Sequence, residues 1–439
     1  MELSESKIVL AVKAHMRLRT PLLLRSGAGD DIVDAELERS PDGQLHISGY
    51  VWASLLKRAL MRFSHGKHFS LLIGDYRPQK STVGDSDTFG LSPCWFEATN
   101  VNIPIYDVIH YNRINRESAT VDEGALFNAE IAPAGIEIQM RFNWFLSECQ
   151  VVDEIITSLS NAFWVIDSGV ETIGGGWGYG YGRLSIESLE TALIDLRTPQ
   201  GRKSLWTHGT EPWTRIPLTK TAVDSPWSTF YLDFELLDGQ LLCVSNKSLP
   251  LSESVIPSAM PDFFCNRQTF FSGDSAESRP VIPGKSFRQA VLSVPIERYL
   301  RTRGEKICSP GIAIGQKQCG CTRCRLFGNL QKRGMVSVGD AQAIPDSFHM
   351  EIIHRIQLCE HTQQNIQLFA GEYLSSGRFA FEIIVDSLTN KEHYDSALDI
   401  IETRIKELLV ENSPPGWNRL GTTSTCTGQF QIIGYTKES

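Results

Sequence analysis

One unusual pattern is written twice in this chain of 439 residues, and such a repeat decides architecture before any local reading. From Arg113 the sequence runs Arg-Ile-Asn-Arg, then Gly124-Ala-Leu-Phe-Asn-Ala-Glu-Ile-Ala-Pro-Ala-Gly135. From Arg355 it runs Arg-Ile-Gln, then Ile366-Gln-Leu-Phe-Ala-Gly-Glu-Tyr-Leu-Ser-Ser-Gly377. A glycine turn precedes each copy, Ile47-Ser48-Gly49 in one and Ile282-Pro283-Gly284 in the other. A glycine-bearing loop follows each. The offsets are 235 residues between Gly49 and Gly284, 242 between Phe127 and Phe369, and 247 between Gly174 and Gly421. Three landmarks in one order at nearly one offset predict a duplicated domain.

The length suits two domains of roughly 200 residues each. A composition of 41% hydrophobic and 21% charged residues is that of a soluble globular protein. No run of about 18 apolar residues occurs, so no membrane partner is expected. The first residues, Met1-Glu-Leu-Ser-Glu-Ser-Lys7, lack the basic and apolar regions of a signal peptide, so a cytoplasmic location is expected. In that reducing compartment ten cysteines point to thiols or metal rather than disulfides. The net charge of −9 lowers the expectation of a nucleic-acid partner without removing it, because a groove can be basic while other faces are acidic.

Periodicity predicts a strand over Lys7–Arg19, a helix over Tyr50–Phe63, strands around Trp95–Val101 and Ile131–Trp144, and a helix over Val151–Ser168. The second half repeats this: strand Ser228–Leu237, helix Lys285–Leu300, a strand, a hairpin within Ile352–Ile384, helix His393–Glu411, and a last strand. Strand–helix–strand–strand–helix–strand is the ferredoxin-like order, shared by the RNA-recognition (RRM) fold. The expected class is α+β with two such tandem domains, at 1–190 and 227–439. A polar, proline-bearing linker is expected at 191–226, and a cysteine-rich insert at 305–328.

Four motifs carry chemistry. Cys308, Cys319, Cys321 and Cys324 are dense enough to close a tetrahedral, structural Zn²⁺ site, with His349 or His361 able to replace one of them. The alternative is four unbound thiols. Gly174–Gly182 holds six glycines in nine residues, interleaved with Trp177, Tyr179 and Tyr181 and closed by Arg183. Such a loop lets a phosphate approach the amides of Gly175 and Gly176 while rings stack on bases; the alternative is a turn whose aromatics pack on the sheet. Lys285, Ser286 and Arg288 open a helix, where free amides attract phosphate; the alternative is a capped helix with solvated basic residues. Asp30, Asp31 and Asp34 form a loop of carboxylates able to hold Mg²⁺ or position a hydroxyl, though most such residues are solvated.

Together these residues resemble the RAMP superfamily of CRISPR-associated proteins, in particular the backbone subunits of type III effector complexes. Ile282-Pro-Gly-Lys-Ser-Phe-Arg288 is similar to the family's Ile-Pro-Gly-Ser-Ser-Leu-Arg-Gly turn, and Gly124-Ala-Leu-Phe127…Glu130-Ile-Ala-Pro-Ala-Gly135 to its thumb hairpin. Gly174–Arg183 resembles the late Gly-Gly…Arg-Gly-Phe-Gly-Arg loop, and Val33-Asp34 the Val-Asp-Asn-Pro-like segment. Cys324-Arg-Leu-Phe-Gly328 with Val336-Ser-Val-Gly-Asp-Ala341 resembles the zinc-knuckle segment, and a fusion of this size looks like the double-RAMP subunits of type III-D systems.

The resemblance implies a crRNA-binding subunit that also cleaves guide-complementary target RNA, each thumb interrupting the guide–target duplex. Asp34 would position or activate a 2′-hydroxyl, or hold a divalent cation such as Mg²⁺ or Mn²⁺. The RNA contacts would come from the Gly174–Arg183 loop, from Lys285, Ser286 and Arg288, and from Arg113 and Arg355 at the thumbs. The implied partners are crRNA, target RNA, neighbouring RAMP subunits, the large polymerase-like subunit and the small subunit. Departures also stand. The first turn lacks the family's Ser and Arg. The second late loop lacks aromatics and arginine. No aspartate stands 15 residues before Gly284 as Asp34 does before Gly49, so Asp262, 22 residues before, is the counterpart only if that loop is longer. The alternatives are a scaffold that binds crRNA without cleaving, and a crRNA-processing endonuclease, for which His15 is the nearby candidate base.

Overall fold

The computed structural model describes residues 7–27, 34–63, 94–114, 121–146, 152–207, 212–220, 222–223, 225–237, 239–246, 261, 264–273, 275–308, 319–329, 332–358, 364–387, 391–409, 418–420 and 428–438. In the first half β1 (Ile8–Leu18) leads to β2 (Leu45–Ile47), α1 (Gly49–Leu60), β3 (Cys94–Phe96) and β4 (Thr99–Val101). A hairpin, β5 (Asp107–Ile114) and β6 (Val121–Ile131), precedes β7 (Glu137–Leu146), α2 (Val152–Asp167) and β8 (Leu184–Asp195). Then come α3 (Pro199–Thr207) and β9 (Thr214–Arg215).

The second half opens with β10 (Trp227–Leu236), β11 (Ser245–Asn246), β12 (Phe264–Cys265), β13 (Arg267–Ser272) and β14 (Ser275–Ile282). A helical run follows, α4, made of Gly284–Phe287, a π-helical segment Arg288–Ser293 and Val294–Thr302. After α5 (Thr322–Phe327), β15 (Val336–Val338) and β16 (Ala341–Ala343) comes a second hairpin, β17 (His349–Leu358) and β18 (Asn365–Ser376). It ends with β19 (Arg378–Asp386), α6 (Tyr394–Leu408) and β20 (Phe430–Glu438). No described helix is long and apolar enough to cross a membrane.

The two main sheets share one antiparallel order. The first runs β3-β7-β1-β8-β9, and the second places β16 and β15 on β19, then β10, then β20. Each therefore has the strand order of a ferredoxin-like sheet. Alternation explains it locally. In β1, Leu10, Val12, Ala14 and Met16 are buried on the face that meets Trp52, Leu55, Leu56 and Ala59 of α1 and Ile155, Leu159 and Phe163 of α2. Those helix positions recur at the spacing that gives one apolar stripe, and each large side chain so buried contributes roughly 1.5–3 kcal/mol.

One sequence expectation is corrected here. The segment from 191 does not begin as linker: β8 runs on to Asp195, and Pro199–Thr207 is helical. The cause is the sheet's other face, where Ala192 and Ile194 join Val9 and Ala11 in an apolar cluster capped by Leu205 and Trp213.

The halves also repeat each other bond for bond. Leu37 N–H donates to Glu130 Oε2 and Arg39 pairs with the same carboxylate; Cys265 N–H donates to Glu372 Oε2 and Arg267 pairs with it. Ile173 N–H meets the Gly182 carbonyl as Leu420 N–H meets that of Gly428. Both glycines have positive φ, +72° and +79°, and a Cβ on either would lie under 2 Å from that neighbouring carbonyl oxygen. The glycines that open the first helices serve close packing as well. A Cβ on Gly49 would lie 2.4 Å from the Phe96 carbonyl oxygen, and one on Gly284 2.3 Å from that of Val338.

The two halves meet around one guanidinium. Arg62, at the end of α1, is fully buried and donates to Glu171 Oε1 at 2.7 and 2.9 Å and to both Asp386 oxygens at 2.9 Å. Burial opposes its charge, yet Asp386 and Glu171 hold it above its ordinary value. Arg58 adds a bond to Glu171 at 3.0 Å and Arg333 one to Asp386 at 2.9 Å. Arg62→Ala leaves two buried carboxylates without their shared cation. We expect a loss of about 3–5 kcal/mol in urea unfolding. A change within 1 kcal/mol, roughly the worth of a surface pair, would remove the ion pair from its central place.

Candidate functional site

Three features meet near the junction of the halves: a basic cleft, the base of the first hairpin, and the cysteine cluster. The cleft, about 470 Å³, lies between the Gly174–Tyr179 loop of the first half and Arg288, Phe327–Asn329 and Lys332–Gly334 of the second. Arg58, Arg288, Lys332 and Arg333 line it, and among its described lining residues none is acidic. Arg288 is the most telling of the four. It stands where α4 passes into its π-helical segment, donates to the Phe327 carbonyl at 2.5 Å, and lies 5.9 Å from the Tyr179 ring. Burial pulls it down to about 10, since Tyr179 only partly counters that and Arg323 adds repulsion. A guanidinium that close to desolvation favours an anionic ligand.

Several residues read from the sequence as RNA contacts have other work here. Trp177 is buried, donates its Nε1–H to the Val170 carbonyl at 3.1 Å, and carries the Arg333 guanidinium on its ring at 3.5 Å. The indole N–H and one face of the ring are thus engaged within the chain, so Trp177 acts as a wedge between the halves while it lines the cleft. Tyr181 is buried with Leu23, Ile109 and Ile131. Arg183 is 1% exposed and pairs with Glu382 of the second half, with Ser337 Oγ at 3.3 Å. Burial pulls its pKa down against Glu382, and no face is left for a phosphate. Gly175 donates its amide to Leu23, and Gly176 has φ +79° with the Tyr181 ring where a Cβ would go. Tyr179 is half-buried on the cleft wall.

The helix start is also internally satisfied. The Gly284 N–H donates to Asp340 Oδ1 at 2.6 Å, so a carboxylate of the chain itself occupies the helix N-terminus. Burial raises the Asp340 pKa against that bond. Lys285 reaches across to the His110 carbonyl on the first hairpin. Ser286 gives its backbone N–H to Pro283. Arg355 lies over the Tyr373 ring at 4.8 Å. Arg113 lies in β5 but its side chain is outside the described residues, as is Asp262.

At the first hairpin base Asp34 is exposed and locked by a reciprocal pair. Its N–H donates to Asn128 Oδ1 at 2.6 Å, and Asn128 N–H donates to Asp34 Oδ2 at 2.7 Å. His110 faces Asn128 across the ladder. Burial and Lys285 pull the His110 pKa down while Asp34 pulls it up, and the net direction is down. Sequence reasoning missed Asn128, His110 and Arg333. Alternation within β5 and β6 would have placed the first two on one face, whereas Arg333 carried no signal at all. His15 contacts Gln139 at 2.9 Å on the sheet face away from the helices, beside Lys13, which is itself paired with Glu190.

The four cysteines Cys308, Cys319, Cys321 and Cys324 converge, with their sulfurs within 4.8 Å of one another. A tetrahedral zinc with Zn–S bonds of about 2.3 Å needs sulfurs roughly 3.8 Å apart, so the donor set fits. Burial opposes ionisation of Cys321, but backbone amides of Cys308 and Cys324 and neighbouring thiols bring it down to about 7. The set closes without a histidine: His349 lies on β17 beside Glu351, and His361 is outside the described residues. These four thiols can hold a metal ion such as zinc.

Over residues 15–185 the chain matches the model of the RAMP superfamily. The first half carries a RAMP superfamily domain. The match runs from the last residues of β1 through α1, the first hairpin, α2 and the glycine loop, so Asp34 and the Trp177 wedge lie inside it. No curated protein matches the chain.

Cys324→Ser removes the buried member of the cluster. We expect purified parent protein to hold one zinc per chain by elemental analysis and the variant to hold less than a tenth of that, with α5 the first element to lose amide protection. Metal-free parent protein, prepared without chelator, would reject the assignment.

Proposed function

We propose that the chain is a crRNA-binding backbone subunit of a type III CRISPR effector, with two RAMP-type modules, and that it cleaves target RNA at the base of each hairpin. The observation that carries the reading is Asp34: an exposed carboxylate fixed against the base of a hairpin, inside the RAMP match. Cleavage there is attack of a 2′-hydroxyl on the adjacent phosphate, with departure of the 5′-oxygen. Asp34 would accept the hydroxyl proton or orient it, and a strand splayed over the hairpin would supply the in-line geometry. A divalent ion, if bound, would neutralise charge on the phosphate. Asp107 and Glu130 at that base are engaged with Thr269 and with Leu37 and Arg39, whereas Asp34 is exposed with Oδ2 accepting from Asn128, so the donor set favours a hydroxyl-positioning role.

The register between halves supports Asp262 as the second such residue. Leu37 and Arg39 correspond to Cys265 and Arg267 through their shared bonds to Glu130 and Glu372, at an offset of 228 residues (265 − 37, 267 − 39). The same offset carries Asp34 to Asp262. The spacing before Gly284 is seven residues longer because the intervening β13–β14 hairpin is longer, which accounts for the apparent misfit in sequence.

With assembled complex, guide and matching RNA, Asp34→Ala is expected to remove one set of products and Asp262→Ala the other, each leaving RNA affinity within about twofold, since phosphate contacts hold the strand. An unchanged product ladder in both variants would leave a non-cleaving scaffold. For the cleft, Arg288→Ala and Lys332→Ala should weaken guide binding whatever its sequence. Each should also flatten the plot of log affinity against log salt by roughly 0.7 for every phosphate that is no longer neutralised. Unaltered slopes would move the RNA path elsewhere.

A further inference from the structure

The two hairpins have matching bases and different surroundings. At the first base the second half lays down an arm, β13 and β14. Thr269 gives its N–H and its Oγ1–H to the Asp107 carboxylate at 2.7 and 2.8 Å, and Phe271 gives its N–H to the Ala134 carbonyl at 2.9 Å. Phe270 packs with Ala134 and Val281, and Lys285 donates to the His110 carbonyl. Gly135 has φ +89°, and a Cβ there would lie 1.9 Å from the Phe271 oxygen, so the glycine ending the hairpin is required by the arm.

Among the described residues, no such arm contacts the same positions on the second hairpin. Val108 faces Glu130 and Ile352 faces Glu372, so Asp107 corresponds to Glu351 and His110 to His354. The Glu351 side chain is 45% exposed, 3.8 Å from an exposed His349, and His354 is exposed. Ile352, Ile356 and Leu368 are 51%, 55% and 61% exposed. Alternation puts both isoleucines and His354 on one face, with Leu368 directly across from Ile356. At the second hairpin an acidic side chain and an apolar patch are thus exposed where the first hairpin has Asp107 and the His110 carbonyl engaged by the arm.

A second copy of the chain has no equal arm to offer. The first-half counterpart is closed by the same hydrogen bond, His46 N–H to Glu38 for Val281 N–H to Asn266, but it is seven residues shorter (15 − 8). It turns back between Ser40 and Gln44. Where the second half has Thr269, the first has Pro41, with neither N–H nor hydroxyl to give. Where Lys285 follows Gly284, Tyr50 follows Gly49 and is 89% exposed. The long arm of each copy is already used on its own Asp107.

We propose that the base of the second hairpin docks a different protein subunit, and that the chain does not polymerise with itself. That subunit brings a β-arm with an amide or hydroxyl donor for Glu351 and a lysine or arginine at a helix start for the His354 carbonyl. This rests on reading the chain as one subunit of a larger assembly. A head-to-tail contact ordinarily propagates with further copies, but here the first half lacks the long arm, so continuation from the second hairpin needs an unlike partner.

The test uses the full chain and a variant that supplies the missing arm. Sedimentation velocity of the parent is expected to show one monomeric species across the concentration range. Oligomers that Glu351→Lys dissolves would mean that self-docking occurs, and would overturn the proposal. In the variant, Gln268–Arg279 replace Ser40–Gln44 and Tyr50 becomes Lys. We expect concentration-dependent oligomers, abolished again by Glu351→Lys. A variant that melts with the parent yet stays monomeric would overturn the docking assignment. If the graft does not fold, amide exchange on the parent decides. Residues 107–110 should be protected and 351–354 should exchange at least tenfold faster; equal protection would overturn the proposal. No readout contains RNA, so a failed cleavage assay and a failed docking assay are distinguishable.

Discussion

The Arg62 guanidinium, enclosed between Glu171 and Asp386, is the constraint on which the arrangement of the two halves depends. A buried cation of this kind is tolerated only while both carboxylates stay in place, because each alone is costly to desolvate. Its geometry fixes the end of α1, the turn after α2 and the end of β19 relative to one another. The wedge of Trp177 under Arg333, the Arg183–Glu382 pair and the arm on Asp107 all lie on the same junction. Shift one sheet against the other and all four are broken together. The junction is therefore all-or-none rather than a hinge.

The same constraint explains how an acidic protein presents a basic surface. Arg58, Arg62 and Arg333 share two carboxylates, Glu171 and Asp386, so one positive charge is left over on the cleft side. Arg288 and Lys332 stand across from it. Low-dielectric walls strengthen such a field locally, whatever the net charge of −9 says of the remaining surface.

Much of the fold was legible because its signals are local. The period-two strands and the two glycine turns require only neighbouring residues. The site was legible in part. Asp34 and the four cysteines stood out by type and spacing, and their sulfurs do converge. Trp177 and Arg183, read from the sequence as RNA contacts, are engaged within the chain, and the ambiguity is physical: a glycine-rich loop with aromatics and arginine suits a nucleic-acid strand and suits a protein interface equally well. Only the position of Glu382 and Arg333, more than 150 residues further along, decides between them. Asp262, proposed above as the counterpart of Asp34, is hard to match by sequence because a count from Gly284 crosses the longer β13–β14 hairpin and a count from Arg267 does not. The extra turn of structure at 199–207 was hidden by its weak helical signal, since packing on Ala192 and Ile194 rather than propensity holds it.

The arm has a consequence in time. A chain leaves the ribosome from its N-terminus, so the base of the first hairpin is complete well before the residues that cover it exist. Phe271 follows Ala134 by 137 residues (271 − 134), which at synthesis rates of about 5–20 residues per second is an interval of roughly 7–27 s. During that interval Asp107 is open to any free arm nearby. Once Phe271 emerges, the tether raises its local concentration far above that of a diffusing competitor. Joining the halves in one polypeptide thus converts a choice among partners into a race that the later half is placed to win.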